Sequence, residues 1–507
     1  MSPLLAALQR QAETRPSAPA LIDGNSTLSY GALFERIATV AAVLFAERGT
    51  RCGLMLDNGI GWAAIDLAAG LAGTVLVPIP GFFSDRQLAH VIAVSGIELL
   101  ITDDPARIER VEAPAIAERI AITETIGQRA TCLRFDRTDA GAAARLPGAT
   151  RKITFTSGTT GTPKGVCLSD AATDRVAASL LTASLGSPDD RHLCLLPLAT
   201  LLENIAGIEV PVLAGAATTL LPLRQVGLIG SSSLDPFAML AAIEKYAATT
   251  IVTVPQALAG LLMAIARNGR RPASLRLVAV GGAPLAASVL KQAEALGLPV
   301  YQGYGLSELA SVAAFNGPAA NKPGSVGRLL PHAELAFAAD GEILLRGAVF
   351  EGYLGEDPMP RRADRFWPTG DLGHLDADGY LHLDGRKKNM FITTFGRNVS
   401  PEWIECELTA EPSIAQAAVF GEARPRNAAI IVPRGLPEAA TITADIGKAN
   451  ERLPDYARVH RWLIAENAFS PANGMATANG RLRRDAILET YRARLDRLYE
   501  EETADVL

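Results

Sequence analysis

The segment Ile153-Thr-Phe-Thr-Ser-Gly-Thr-Thr-Gly-Thr-Pro-Lys-Gly165 carries an apolar strand into a loop dense in hydroxyls and glycines that ends on a lysine. Glycines let backbone N–H groups approach an anion, hydroxyls add donors, and the lysine supplies a point charge, so the chemistry is phosphate binding. The spacing is not the G-x-x-x-x-G-K-[ST] of a Walker A loop. Four more segments hold reactive groups in turns: Tyr301-Gln-Gly-Tyr-Gly-Leu-Ser-Glu308, Pro368-Thr-Gly-Asp-Leu-Gly373, Asp384-Gly-Arg-Lys-Lys-Asn389 and Thr477-Ala-Asn-Gly-Arg-Leu-Arg-Arg484. Taken singly, Glu308 reads as a solvated carboxylate, Tyr304 as turn packing and the basic run as an exposed turn. Other catalytic patterns are missing. There is no G-x-S-x-G elbow and no H-E-x-x-H, and Gly303-Tyr-Gly-Leu-Ser-Glu308 lacks the third glycine of a dinucleotide fingerprint. His90, His192, His332, His374, His382 and His460 form no ligand spacing.

The elements that must position these groups alternate between strand and helix. Residues 62–70 and 236–246 suit helices, as does 257–267, while 74–78, 250–254 and 275–280 suit strands, the last entering Gly281-Gly282. That alternation predicts an α/β protein with parallel sheets whose ligands sit at strand C-termini. From about Ala333 the texture changes. Asp340-Gly341 and Asp378-Gly379 each precede alternating residues and predict hairpins in a β-rich region, with a domain boundary near Gly385.

The chain has 507 residues, 49% hydrophobic, 20% charged and 6% aromatic, a globular composition with length for about three domain-sized units. Lys and Arg number 48 against 54 Asp and Glu, a formal charge of −6, which argues against a duty dominated by nucleic acid or anionic membrane. Cys52, Cys132, Cys167, Cys194 and Cys406 are scattered with no C-x-x-C pair, as in a reduced, cytoplasmic protein. The N-terminus shows no export signal. The uncharged stretch between Asp66 and Asp85 is broken by Gly70, Gly73, Pro78, Pro80 and Gly81, so it predicts a helix and a strand, not a membrane span.

Together, and in this order, the five segments resemble the signatures of the adenylate-forming enzymes: acyl- and aryl-CoA synthetases, peptide-synthetase adenylation domains and luciferases. The likeness is strongest to fatty acyl-CoA synthetases, and Asn398-Val-Ser-Pro-Glu-Trp-Ile-Glu405 fits it too. The resemblance implies a large N-terminal domain of α/β sheets over residues 1–385, with a β-rich subdomain at about 325–385, and a small mobile α+β C-terminal domain over 386–507. It implies ATP-dependent formation of an acyl-adenylate and transfer to a thiol, most simply coenzyme A. Lys164, Thr156, Ser157, Gly158, Thr159, Thr160 and Gly161 would hold phosphates, and Glu308 would hold Mg²⁺. Tyr304, Gly305, Ser307, Gly281, Gly282 and Ala283 would surround the adenine, Asp371 would meet the ribose, Arg386 the ribose or a phosphate, and Lys388 would sit at the hinge. The resemblance also leaves open a carrier-protein phosphopantetheine as acceptor, and a nucleotide- or acyl-binding protein with weak chemistry.

Two positions depart from the family pattern. Arg481 stands where a catalytic lysine is usual; the charge survives, but a planar guanidinium replaces a compact ammonium. The expectation is a tolerated exchange. Thr200 stands where an aromatic or histidine is common. The expected acyl pocket comprises Thr200, Ile205, Gly303, Leu306, Ala310 and Val312, with Ser311 beside them. Gly305 aligns with a pocket-filling tryptophan of acetyl-activating relatives, so an open pocket for a medium- or long-chain fatty acid or an aryl acid is expected. Glu203, the one carboxylate near Pro197, reads as structural and not as a partner for a substrate ammonium.

Overall fold

The computed structural model describes residues 2–24, 26–44, 51–136, 145–156, 163–230, 233–356, 365–477 and 480–504. Two large sheets dominate. In the first, Thr250–Thr253, Leu277–Val280 and Val300–Tyr304 lie side by side and parallel. Thr250–Thr253 is buried throughout, as expected of a strand covered on both faces. Val278 and Val280 pack toward the helices Pro236–Lys245, Pro255–Asn268 and Ala287–Ala295. Leu277 and Ala279 point the other way, toward the helix Asp170–Ala183 and the helical rod Leu201–Ala214. The strands therefore end in one row at Val254, Gly281 and Gly305.

The second sheet has Val75–Pro78, Arg51–Met55 and Leu99–Thr102 parallel at its centre. Its helices and strands match the sequence periods: 62–70 lies within the helix Ile60–Ala72, and 74–78 holds the strand Val75–Pro78. The expectation of parallel sheets holds through most of both: Arg191–Leu193, Ala217–Thr219 and Pro19–Ile22 continue the parallel order of the first, Lys152–Thr156 that of the second, and antiparallel pairing is confined to the margins. Lys152–Thr156 and Lys164–Leu168 form an antiparallel hairpin, because the short glycine-rich connection between them cannot make a parallel crossover.

The β-rich region is a four-stranded antiparallel sheet of Ala333–Phe337, Glu342–Gly347, Trp367–Leu375 and Leu381–Arg386. Both D-G turns close hairpins, with Gly341 at φ 85° and Gly379 at φ 78°, where a side chain would be strained. Within the same span, Arg328–Leu329 and Gly352–Tyr353 pair instead with the first and second large sheets. Past Arg386 the chain builds an α+β unit around Ile414–Phe420, Asn427–Pro433 and Val459–Ile464 with its own apolar clusters. All five cysteines are unbonded, and no helix among the described residues is long and apolar enough to cross a membrane.

Candidate active site

Sheet register brings the first two groups together. Asp371 and Arg386 are cross-strand partners, and Arg386 Nε lies 3.1 Å from Asp371 Oδ1 while its Nη1 donates to Thr369 O at 2.9 Å. From the neighbouring sheet, Tyr304 Oη donates to Asp371 Oδ2 at 2.7 Å. Burial pushes the Asp371 carboxyl above its usual range, against the pull of Arg386, Tyr304 and Arg481. Burial also raises the Tyr304 phenol, and Asp371 adds to the rise, so this hydroxyl is a fixed donor. Each Asp371 oxygen keeps a further lone pair for a ligand hydroxyl.

The glycine-rich loop is entered at Thr156 and left at Lys164, which are paired across the hairpin. Ser157, Gly158, Thr159, Thr160 and Gly161 lie outside the described residues. Lys164 is exposed, with Nζ 5.3 Å from the centre of the Tyr353 ring. Tyr353 Oη in turn donates to Glu308 Oε1 at 2.8 Å, so one tyrosine joins the lysine to the carboxylate. Sequence reasoning did not single out Tyr353. It carries no motif, and only its pairing with Lys164–Leu168 through Gly352–Tyr353 places it here. The second oxygen of Glu308 has no hydrogen-bond partner among the described residues, and a carboxylate with an open oxygen, joined through Tyr353 to Lys164, fits Mg²⁺.

A turn in the C-terminal unit delivers Arg481. Thr477 N donates to Arg481 O at 2.7 Å, Arg481 N donates to Thr477 Oγ1 at 3.0 Å, and the turn aims the side chain into the cleft. The guanidinium is reached by solvent through the cleft yet crowded by protein on its other sides. That crowding and Arg386 lower its proton affinity, while Asp371 and Glu308 raise it. Lys388 shares this field: burial and then Arg386 lower its pKa, Asp485 opposes them, and Arg481 adds to the lowering. The unit is held in place by Glu407 Oε1, which accepts from Ala287 N at 3.2 Å, and by Cys406 Sγ donating to Pro284 O at 3.3 Å.

Arg481 stands at one end of a cavity of about 260 Å³. Thr200, Gly303, Leu306, Ser311 and Val312 line it, as do Gly281, Gly282, Tyr304, Gly305 and Ser307. Ile205 and Ala310 do not: both are fully buried in the apolar cluster behind the wall. Ala283, expected beside the adenine and not in the acyl pocket, is exposed next to Gly281 and Gly282. The expectation for Gly305 also needs correction. A Cβ there would lie 1.6 Å from Ser311 O, so that position faces backbone and is not what opens the cavity. Glu203 is fully buried with both oxygens taken, Oε1 3.0 Å from His192 Nε2 and Oε2 accepting from Leu196 N at 3.0 Å. His192, Cys194 and Glu203 gather within 4.8 Å, a grouping their sequence spacing did not reveal. Their polar atoms are spent on one another and on Thr250, and burial keeps the Cys194 thiol neutral.

The model of the AMP-binding enzymes matches residues 8–354, and that of the AMP-binding enzyme C-terminal domain matches residues 388–503. The chain is 33% identical to an indoleacetate–CoA ligase of Aromatoleum aromaticum over 66% of each chain. It is 28% identical to a long-chain-fatty-acid–CoA ligase of Mycobacterium bovis over 95% of this chain and 94% of that one. The fold matches the o-succinylbenzoate–CoA synthetase of Bacillus subtilis in complex with its acyl-adenylate intermediate, with a TM-score of 0.75 and 24% identity over 94% of this chain and 97% of that one.

Proposed function

Because the chain belongs to the AMP-binding enzyme family, we propose that it is an ATP-dependent acid–thiol ligase whose thiol is coenzyme A. The observation that carries this reading is the convergence of Arg481, from the C-terminal unit, with Asp371, Arg386 and Glu308 at the mouth of a largely apolar cavity. A carboxylate seated beside Arg481 attacks the α-phosphorus of ATP in line; the bond to the bridging oxygen breaks and pyrophosphate leaves. Lys164 and the loop after Thr156 hold the leaving phosphates, while Asp371 and Arg386 fix the ribose. Magnesium at Glu308 would neutralise charge on the phosphate oxygens. Positioning and charge neutralisation carry the step. The thiol of coenzyme A then attacks the carbonyl carbon of the mixed anhydride, AMP departs, and a thioester forms. Residues 1–385 would bind ATP and the acid, residues 386–507 would form the mobile domain, and Lys388 would lie at the hinge.

Carboxylate-dependent ATP–pyrophosphate exchange tests the first half of this reading, and thioester formation with free coenzyme A tests the second. Exchange together with coenzyme A thioester is the expected result. Exchange with thioester only on a phosphopantetheinylated carrier protein would transfer the acceptor assignment to that partner. Nucleotide binding without any exchange would overturn the enzyme reading.

A further inference from the structure

Resting on that ligase reading, we infer that the cavity takes one extended, unbranched acyl chain of about a dozen carbons and not an aryl acid. The space is lined from Arg481 and Gly281, past the C-terminal end of the strand Leu277–Val280, to Arg276 before its start, with Ser184 and Asp190 beside Arg276. It follows the full length of the strands, between their face and the helical rod that covers it.

Two rulers measure it. On the sheet side Leu277, Ala279 and Gly281 line it from one strand, joined by Thr250 and Val252 of the next. From Arg276 to Gly281 that strand advances about 16 Å at ~3.3 Å per residue. On the helix side Leu202, Ala206, Val210 and Ala214 line it at four-residue spacing, one stripe along the rod. That stripe spans about 18 Å at ~1.5 Å per residue. An extended hydrocarbon built from ~1.5 Å bonds advances ~1.3 Å per methylene, so about 16 Å holds a dozen carbons.

The slot exists because the facing walls are built from small residues. A sheet–helix layer is ordinarily filled by large apolar side chains to crystal-like density. Here Ala206 and Ala214 line the slot from the rod and Ala279 and Gly303 from the sheet, and the π-helical turn Ile205–Glu209 interrupts the rod beside them. A ring system held at Arg481 would fill the near end and leave the remaining apolar wall without contacts. The far end is polar. Arg276 Nε lies 2.6 Å from Asp190 Oδ1, and its Nη1 donates to Ser184 O at 2.8 Å. This pair is a floor against which a longer chain gains no apolar contact.

The test is exchange with octanoate, laurate, palmitate and indole-3-acetate as the carboxylates. The wild-type protein is expected to give its highest kcat/KM with laurate, ~10-fold or more above octanoate and above indole-3-acetate. Ala214→Phe narrows the far end and Ala206→Phe a point nearer Arg481. The laurate-to-octanoate ratio is expected to fall at least ~10-fold in the first and further in the second, whereas general damage would lower both acids alike. Preference of the wild-type protein for octanoate or indole-3-acetate, or ratios unmoved by both variants, overturns the chain assignment while the ligase reading stands. No exchange with any of the acids overturns the ligase reading, and the chain assignment with it.

Discussion

At Arg481 the family resemblance leads one to expect a lysine, and the surroundings of the guanidinium bear on that exchange. The guanidinium feels Arg386, which with burial lowers its proton affinity, and Asp371 and Glu308, which oppose that, so acidic and basic groups both act on it. Arg481→Ala is expected to lower carboxylate-dependent exchange about 10²–10³-fold, the cost of losing one preorganised charge contact. Arg481→Lys is expected to stay within about tenfold of wild type. Equal exchange in all three proteins would show that the side chain is not used. Arg481, Asp371, Arg386 and Glu308 were all legible as residues, because each stands in a short motif. Tyr353, which ties Lys164 to Glu308, was not, since an aromatic outside any pattern has no meaning until a strand pairing places it.

At the level of elements, turns were legible and register was not. Asp378-Gly379 announces a hairpin, yet the pairing of Asp371 with Arg386 depends on a bulge between Leu372 and Gly373. Without that extra residue Asp371 would face Gly385, and a one-residue slip sends a side chain to the opposite face. Gly305 makes a similar point. After it the chain turns through the short 3₁₀ segment Ser307–Leu309, and Ala310 and Ser311 take positive φ of 51° and 102°. This returns Ser311 O against the Gly305 backbone. Gly305→Ala is therefore expected to strain the turn by about 1–3 kcal/mol, seen as a lower melting temperature together with weaker exchange. An unchanged melting temperature would show that Ser311 gives way freely.

Across the whole molecule, the helical rod that walls the cavity is tied to the strand that leads into the glycine-rich loop. Lys152 Nζ lies 3.0 Å from Asp66 Oδ1 and 3.7 Å from Glu209 Oε1, and also bonds Asn204. Glu209 is 2% exposed, and its Oε2 has no hydrogen-bond partner among the described residues. Burial pushes its carboxyl from 4.5 up to about 8, against the pull of Lys152, with Asp66, Asp174 and Asp170 adding to the rise. The folded chain thus keeps a proton that the unfolded chain sheds. The stability from this group is full below about pH 4.5 and is lost as pH rises through about 8. Glu209→Gln removes that loss, so the variant is expected to melt above wild type at pH 8, with the gap closing toward pH 4.5. A gap that is constant or reversed across that range would contradict the assignment. By itself the sequence determined the family and the α/β class, and it singled out most of the polar residues that the structure brings together, because the phosphate and magnesium chemistry expected of them would need particular residue types at short spacings. Only the tertiary structure decided which residues wall the cavity. It removed Ile205, Ala310 and the Cβ position of Gly305 from that wall, and it added Ala206, Ala214 and Ala279. The physical reason is that an apolar residue facing a cavity and one facing the core have the same periodicity, and only the packing of helix on sheet distinguishes them.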